Sequence, residues 1–207
     1  MNVGGCDPQD VVTITPVRVV DASKLDLAAA ERAALELLRA VGADLDSPGL
    51  IGTPRRVAAS FAELLTPAEF GATSFPNEGR YDELVVVRDI HFHTLCMHHL
   101  LPFYGQAHVA YLPGERIIGI SKLARVVETY ARDLQLQERM TVQIADRLEQ
   151  DLRPRGVGVV LSAEHTCMTI RGVRKPGART VTSALRGSLR DDARTRQELF
   201  SLVGRFS

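Results

Sequence analysis

The spacing of hydrophobic residues changes period near residue 80, and no other feature constrains the fold as much. Before that point apolar residues recur every three or four positions. Leu27, Ala30, Ala34, Leu38 and Val41 predict a helix that Gly42 stops. Thr53-Pro54 opens a second, with Thr53 as N-cap, Pro54 at the first helical position and a stripe of Val57, Phe61, Leu64 and Leu65. A loop containing Gly, Pro and Asn runs from Gly71 to Gly79, and beyond it the runs are of β type. Strands are expected at Leu84–Val87 continuing through Ile90 and Phe92, at Ala107–Leu112, and at Arg116–Ile120. Two helices follow, one capped by Ser121 and carrying Leu123, Val126, Val127 and Tyr130, the other from Gln137 to Leu152 with Met140, Ile144 and Leu148 on one face. Arg153-Pro154-Arg155-Gly156 breaks the second helix. A long strand is expected over Val157–Ile170, a partner strand over Thr180–Leu185, and a last amphipathic helix from about Asp191 to Val203. Strands, two helices, then strands make an α+β layout with helices on one sheet face. Residues 1–22 are expected to form an N-terminal arm or edge strand, 23–70 a helical region, and 71–207 the mixed domain.

Composition narrows the function classes. The chain has 207 residues, 45% hydrophobic and 24% charged, which fits a globular protein of one domain, or of one plus an appendage. No apolar stretch approaches the ~20 residues of a membrane span. The first residues lack the basic-then-apolar pattern of a secretory signal, so a cytoplasmic protein is expected. Lys+Arg and Asp+Glu are both 25, which argues against a nucleic-acid binder. The balance hides an asymmetry: residues 1–120 hold 9 basic and 15 acidic side chains, residues 121–207 hold 16 and 10. Only Lys24, Lys122 and Lys175 are lysines. Arginine forks suit phosphate oxygens, so the second half can serve an anionic ligand; the plainer alternative is a solvated basic surface.

Three cysteines, Cys6, Cys96 and Cys167, make a poor disulfide framework and read better as metal ligands, a nucleophile or buried thiols. Cys96-Met97-His98-His99 sets a Cys and a His three apart, ligand types that suit zinc. Alone it is a half-site, and a buried thiol beside hydrogen-bonded histidines explains it equally well. His165-Thr166-Cys167 supplies a second half. Within a strand, residues two apart share a face, so His165 and Cys167 are expected to point into one cavity. The set expected on zinc is Cys96, His99 and Cys167, which leaves a coordination position open as catalytic sites do. Adjacent histidines do not both reach one ion easily, so His98 and His165 are expected beside the metal as proton-transfer groups.

Anion binding is suggested by Ser121-Lys122-Leu123-Ala124-Arg125, where a helix N-terminus, a hydroxyl and two cations coincide; an ordinary cap with exposed cations is the alternative. Gln137-Glu138 starts the next helix. A carboxylate beside an amide there can hold the N–H edge of a guanine-like ring, or simply complement the helix dipole. Arg171, Arg174 and Lys175 follow the second ligand stretch, as a phosphate contact or as a solvated basic loop.

These motifs, in this order, resemble the GTP cyclohydrolase I family. The resemblance lies in Cys96-Met97-His98-His99-Leu100-Leu101-Pro102-Phe103, His108–Pro113, Ile118–Val127, Gln135–Arg139, His165-Thr166-Cys167-Met168 and Arg171-Gly172-Val173. Thr53–Ala58 and Thr180–Ser183 also fit. It implies a tunnelling fold, in which two helices layer on an antiparallel four-stranded sheet behind a helical N-terminal part. It implies a homodecamer of two pentamers with sites where subunits meet. It implies zinc on Cys96, His99 and Cys167, proton transfer by His98 and His165, triphosphate contacts from Ser121, Lys122, Arg125 and Arg171, purine contacts from Gln137 and Glu138, and a weaker phosphate candidate in Arg56. The activity implied is hydrolytic opening of the guanine imidazole ring of GTP to 7,8-dihydroneopterin triphosphate and formate, the first step toward tetrahydrofolate and pterins. One residue departs from the pattern: Met97 stands where the family usually has Glu. The ligands and both histidines remain, so a working, divergent enzyme is expected.

Rival classes make different products. A zinc deaminase needs His-x-Glu with Pro-Cys-x-x-Cys, which this chain lacks, and would release ammonia. A related tunnelling-fold enzyme would act on another purine or pterin, and a regulatory paralogue would bind GTP without turnover.

Overall fold

In the computed structural model, which describes residues 18–67 and 70–204, the change of period marks the passage from a helical pair to a sheet. Helix α1 (Leu27–Ala40) is capped by Asp26, whose carboxylate accepts from Ala29 N, and packs on α2 (Thr53–Leu65). Thr53 lies inside α2 and Gly52 takes the cap position. The Thr53 hydroxyl accepts from Arg56 instead of capping, which corrects the expected boundary. The arm expected at 1–22 lies outside the described residues up to 17. From Arg18 the backbone is docked, with Val19 and Val20 N–H donating to the two carboxylate oxygens of Asp133.

The main sheet contains β2 (Val85–Cys96), β3 (Pro102–Leu112), β6 (Gly156–His165) and β7 (Arg179–Gly187), all antiparallel. A two-residue strand, β5 (Leu134–Gln135), joins in parallel at the end of β2, opposite Leu95 and Cys96. The strand expected at Arg116–Ile120 is shorter, β4 (Arg116–Ile118). It pairs with β1 (Ser74–Pro76) in a separate two-stranded sheet. A bulge between Val87 and Ile90 in β2, with Asp89 at φ 57°, keeps the alternation correct on both sides of the irregularity.

Helices α3 (Ile120–Ala131) and α4 (Gln137–Leu152) cover one sheet face. Leu123, Val126 and Val127 from α3 and Met140, Ile144 and Leu148 from α4 meet Phe103, Val109, Val159 and Leu161 from the strands. Each such side chain removed from water contributes about 1.5–3 kcal/mol. The α3 and α4 residues that face the sheet are those the sequence spacing selected. Gly119, not Ser121, caps α3, and α4 spans the residues expected. The C-terminal helix is broken at Asp192, which caps α7 (Ala193–Val203) after the short α6 (Ser188–Asp191). Leu189, Leu199 and Val203 form a smaller core with Ala110.

The largest departure is at the end of β6. The expected strand to Ile170 stops at His165, and Thr166–Thr169 forms one helical turn, α5. Thr166 Oγ1 donates to Pro102 O at 2.6 Å and Ile170 N to Thr166 O at 3.1 Å, so the chain folds over the start of β3.

Candidate active site

Cys96 is the last residue of β2 and is buried. Its N–H donates to Leu101 O at 2.8 Å, while its carbonyl accepts from His99 N at 3.3 Å and Leu100 N at 2.8 Å. Leu100 takes φ 55° to close this turn. Met97 N donates to Gln135 O, tying the turn to β5. Thus a strand end and a tight turn hold the Cys-x-x-His pair together, with His98 and His99 exposed on the outside of the turn.

Cys167 arrives in α5. The expectation that His165 and Cys167 share a strand face therefore needs correction: the helical turn, not the two-residue period, carries Cys167 to the site. The outcome is nevertheless convergence. The ligand atoms of Cys96, His99 and Cys167 all lie within 4.8 Å of one another. Two thiol sulfurs and an imidazole are soft and borderline donors that suit zinc, and three protein ligands leave a fourth position open. Burial, and then the neighbouring Cys96, push the Cys167 thiol up, so metal binding must displace its proton.

His165 stands beside this group. It pairs with Phe103 in the β3–β6 register, and the two rings stack with centroids 4.4 Å apart and planes 8° apart. Gly105, two residues along β3, permits the close strand approach: a Cβ there would lie 2.0 Å from Ser162 O. His165 Nε2 lies 2.8 Å from Gln137 Oε1. Burial holds the His165 ring below the ordinary histidine range, partly opposed by the Glu138 carboxylate.

The remaining candidates fall into groups. Glu138 is exposed in the first turn of α4. Arg171 is exposed just beyond α5, and its charge is felt at Cys167. Ser121, Lys122 and Arg125 lie along the first turns of α3, with Ser121 and Arg125 exposed. Among the described residues, no hydrogen bond or ion pair joins these three to the cysteines or His165. Arg56 lies on α2, where its guanidinium donates to Gly49 O at 3.1 Å and Thr53 Oγ1 at 2.7 Å. Several arginines of the basic half serve the fold: Arg147 pairs with Asp151 and Arg186 with Asp146, both at 2.7 Å. Sequence reasoning missed Phe103 as the platform for His165; the signal was the register of β3 against β6.

A model of the GTP cyclohydrolase I family matches residues 30–204. The chain belongs to the GTP cyclohydrolase I family. GTP cyclohydrolase 1 of Thermobifida fusca (strain YX) is 52% identical over 180 residues, 84% of this chain and 86% of that one. The protein of the same name from Bacillus subtilis (strain 168) is 51% identical over 181 residues, 84% of this chain and 94% of its own. That from Aquifex aeolicus (strain VF5) is 51% identical over 166 residues, covering 80% and 90%. Among solved structures, the archaeosine synthase QueF-Like in the apo form aligns with 50% of this chain and 93% of its own. At TM-score 0.42 and 17% identity, that likeness is below the level at which a shared fold follows. This member of the GTP cyclohydrolase I family thus has a cysteine–histidine–cysteine cluster able to hold a metal, with a stacked, hydrogen-bonded histidine beside it.

Proposed function

We propose that this chain is a GTP cyclohydrolase I, opening the guanine imidazole ring of GTP by hydrolysis to give 7,8-dihydroneopterin triphosphate and formate. The observation that carries the proposal is the meeting of Cys96, His99 and Cys167, drawn from distant stretches, in a chain of this family. The product would enter tetrahydrofolate and pterin synthesis. Zinc on those three residues would supply Lewis acidity, lowering the pKa of water toward neutrality.

The chain's own side chains do the rest. His165, neutral at rest, takes a proton from the attacking water and passes it to the purine N7 as the ring opens at C8, and His98 or His165 returns protons as formate leaves. Ser121, Lys122, Arg125 and Arg171 hold the triphosphate, and Glu138 takes the N–H edge of the guanine. Arg56, already engaged by Gly49 and Thr53, is the weakest of the phosphate candidates. Among the described residues no hydrogen bond or ion pair joins Ser121, Lys122 or Arg125 to the cluster within one chain, which favours a site completed where copies meet. A further support for assembly is the outer edge of β7, which has no strand partner among the described residues. We therefore propose a tunnelling-fold homodecamer of two pentamers acting in the cytoplasm. Among the described residues no helix is long and apolar enough to cross a membrane.

The test is incubation of the zinc-loaded protein with GTP, with assay of formate and of pterin fluorescence after oxidation. Both products are expected. His165→Ala is expected to keep zinc and lose about 10²–10⁴-fold in ring opening. GTP that binds and is recovered intact would overturn the enzymatic reading in favour of a regulatory role.

A further inference from the structure

Gln137 is 1% exposed, and the polar atoms of its side chain have defined protein partners. Its Nε2 donates to Thr180 O at 2.9 Å, to the Thr182 hydroxyl at 3.1 Å and to Leu161 O at 3.3 Å. Two of those acceptors are backbone carbonyls, which cannot donate. The amide end facing them must be the NH2, because a turned amide would set Oε1 against two carbonyl oxygens. The Thr182 hydroxyl is itself fixed, 2.7 Å from Thr141 Oγ1, which donates to Gln137 O at 2.7 Å. Oε1 is thereby aimed at His165 Nε2, 2.8 Å away. An amide oxygen has no proton to give, so Nε2 must be the donor. Phe103, stacked parallel on the ring, holds the imidazole plane in which that bond is made.

We propose that Gln137 is a positioning residue that holds neutral His165 as the Nε2–H tautomer, leaving Nδ1 as the lone-pair atom available to the reaction. The burial of Gln137 and the commitment of its amide argue for action through His165, with Glu138, exposed one residue further along α4, facing the purine edge. The use of Nδ1 rests on the proton-transfer role proposed above for His165. The tautomer does not.

The experiment is two-bond ¹H–¹⁵N correlation of the histidine rings in the full chain at neutral pH or above, metal-free and zinc-loaded, with His165→Ala assigning the resonances. The wild type is expected to show a protonated Nε2 and a bare Nδ1 at His165. Gln137→Met, similar in volume but without a hydrogen-bonding amide, is expected to show a mixture of tautomers. A wild-type His165 protonated on Nδ1, or an unchanged Nε2–H pattern in Gln137→Met, overturns the proposal. Should Gln137→Met fail to fold, the wild-type spectrum still decides. In turnover, Gln137→Met is expected to lower kcat about 10–100-fold with KM for GTP nearly unchanged. A raised KM at constant kcat would place Gln137 on the purine instead and overturn the inference. If the wild type releases no formate from GTP, the functional reading fails, while the ring spectra still decide the tautomer.

Discussion

At the scale of single residues, the site depends on a few side chains that cannot be exchanged for near neighbours. Cys96→Ser replaces a soft thiolate with a hydroxyl that binds zinc poorly, and its place at the end of β2 leaves no alternative donor from that residue. Atomic absorption should find the variant depleted of zinc, and formate release should vanish with it; full zinc retention would remove Cys96 from the ligand set. A different residue contributes to acid sensitivity. His108 is 4% exposed on β3, and burial holds its ring below the ordinary value of 6.5, with Asp89 opposing and Arg88 reinforcing the shift. The unfolded chain then takes up this proton before the folded one does, so the contribution of His108 to stability is present at neutral pH and is lost as pH falls below 6.5. Urea midpoints at pH 7 and pH 5.5 should differ less in His108→Gln than in the wild type. The cysteine–histidine half-site was legible in the sequence because three residues in a turn set its geometry locally. The partner of Gln137 was not, because Thr180 and Thr182 reach it through the register of β7 on β6 rather than through spacing along the chain.

At the scale of elements, helix α4 could be read to its end residues because its apolar stripe, its start at Gln137 and the Arg153-Pro154-Arg155-Gly156 break beyond its end agree. The end of β6 could not. Thr166, Thr169 and Ile170 are β-branched and continue a strand pattern, yet the hydroxyl of Thr166 finds Pro102 O on another strand and the chain coils into α5. A tertiary hydrogen bond outweighed local preference there. Asp133 shows the same kind of long-range control. Buried at 2% exposure between α3 and β5, it accepts from Val19 N and Val20 N, and its carbonyl accepts from Thr94 Oγ1 at 3.0 Å. One residue thus joins the start of the helical region to the strand that ends at Cys96. Asp133→Ala would take the carboxylate from three amides, Val19, Val20 and Leu134, at a cost of roughly 1–3 kcal/mol for each left unpaired. Hydrogen exchange at Val19 and Val20 should accelerate and the melting temperature should fall; continued protection of both amides would deny Asp133 that role.

At the scale of the whole molecule, the α+β layout followed from the change of hydrophobic period, whereas the proposed assembly has only indirect support: an edge strand and a set of anion-binding candidates split between α3 and the cluster. Sedimentation at micromolar concentration is expected to give one species many times the 22.7 kDa of a single chain, and a monomer there would defeat the proposed decamer. The basic surplus of the second half divides in the same way, part spent on internal pairs such as Arg147–Asp151 and part left on the exposed loop at Arg171, Arg174 and Lys175.

Between Cys96 and Cys167 run both helices of the layer and two long strands of the sheet. An ion gripped by both cysteines would therefore act as a hasp across the central third of the chain, shortening the excursions of the unfolded chain by an amount that grows with the logarithm of the enclosed length. Stripped of it, the same polypeptide should survive for less time against a protease, even where its spectrum looks unchanged.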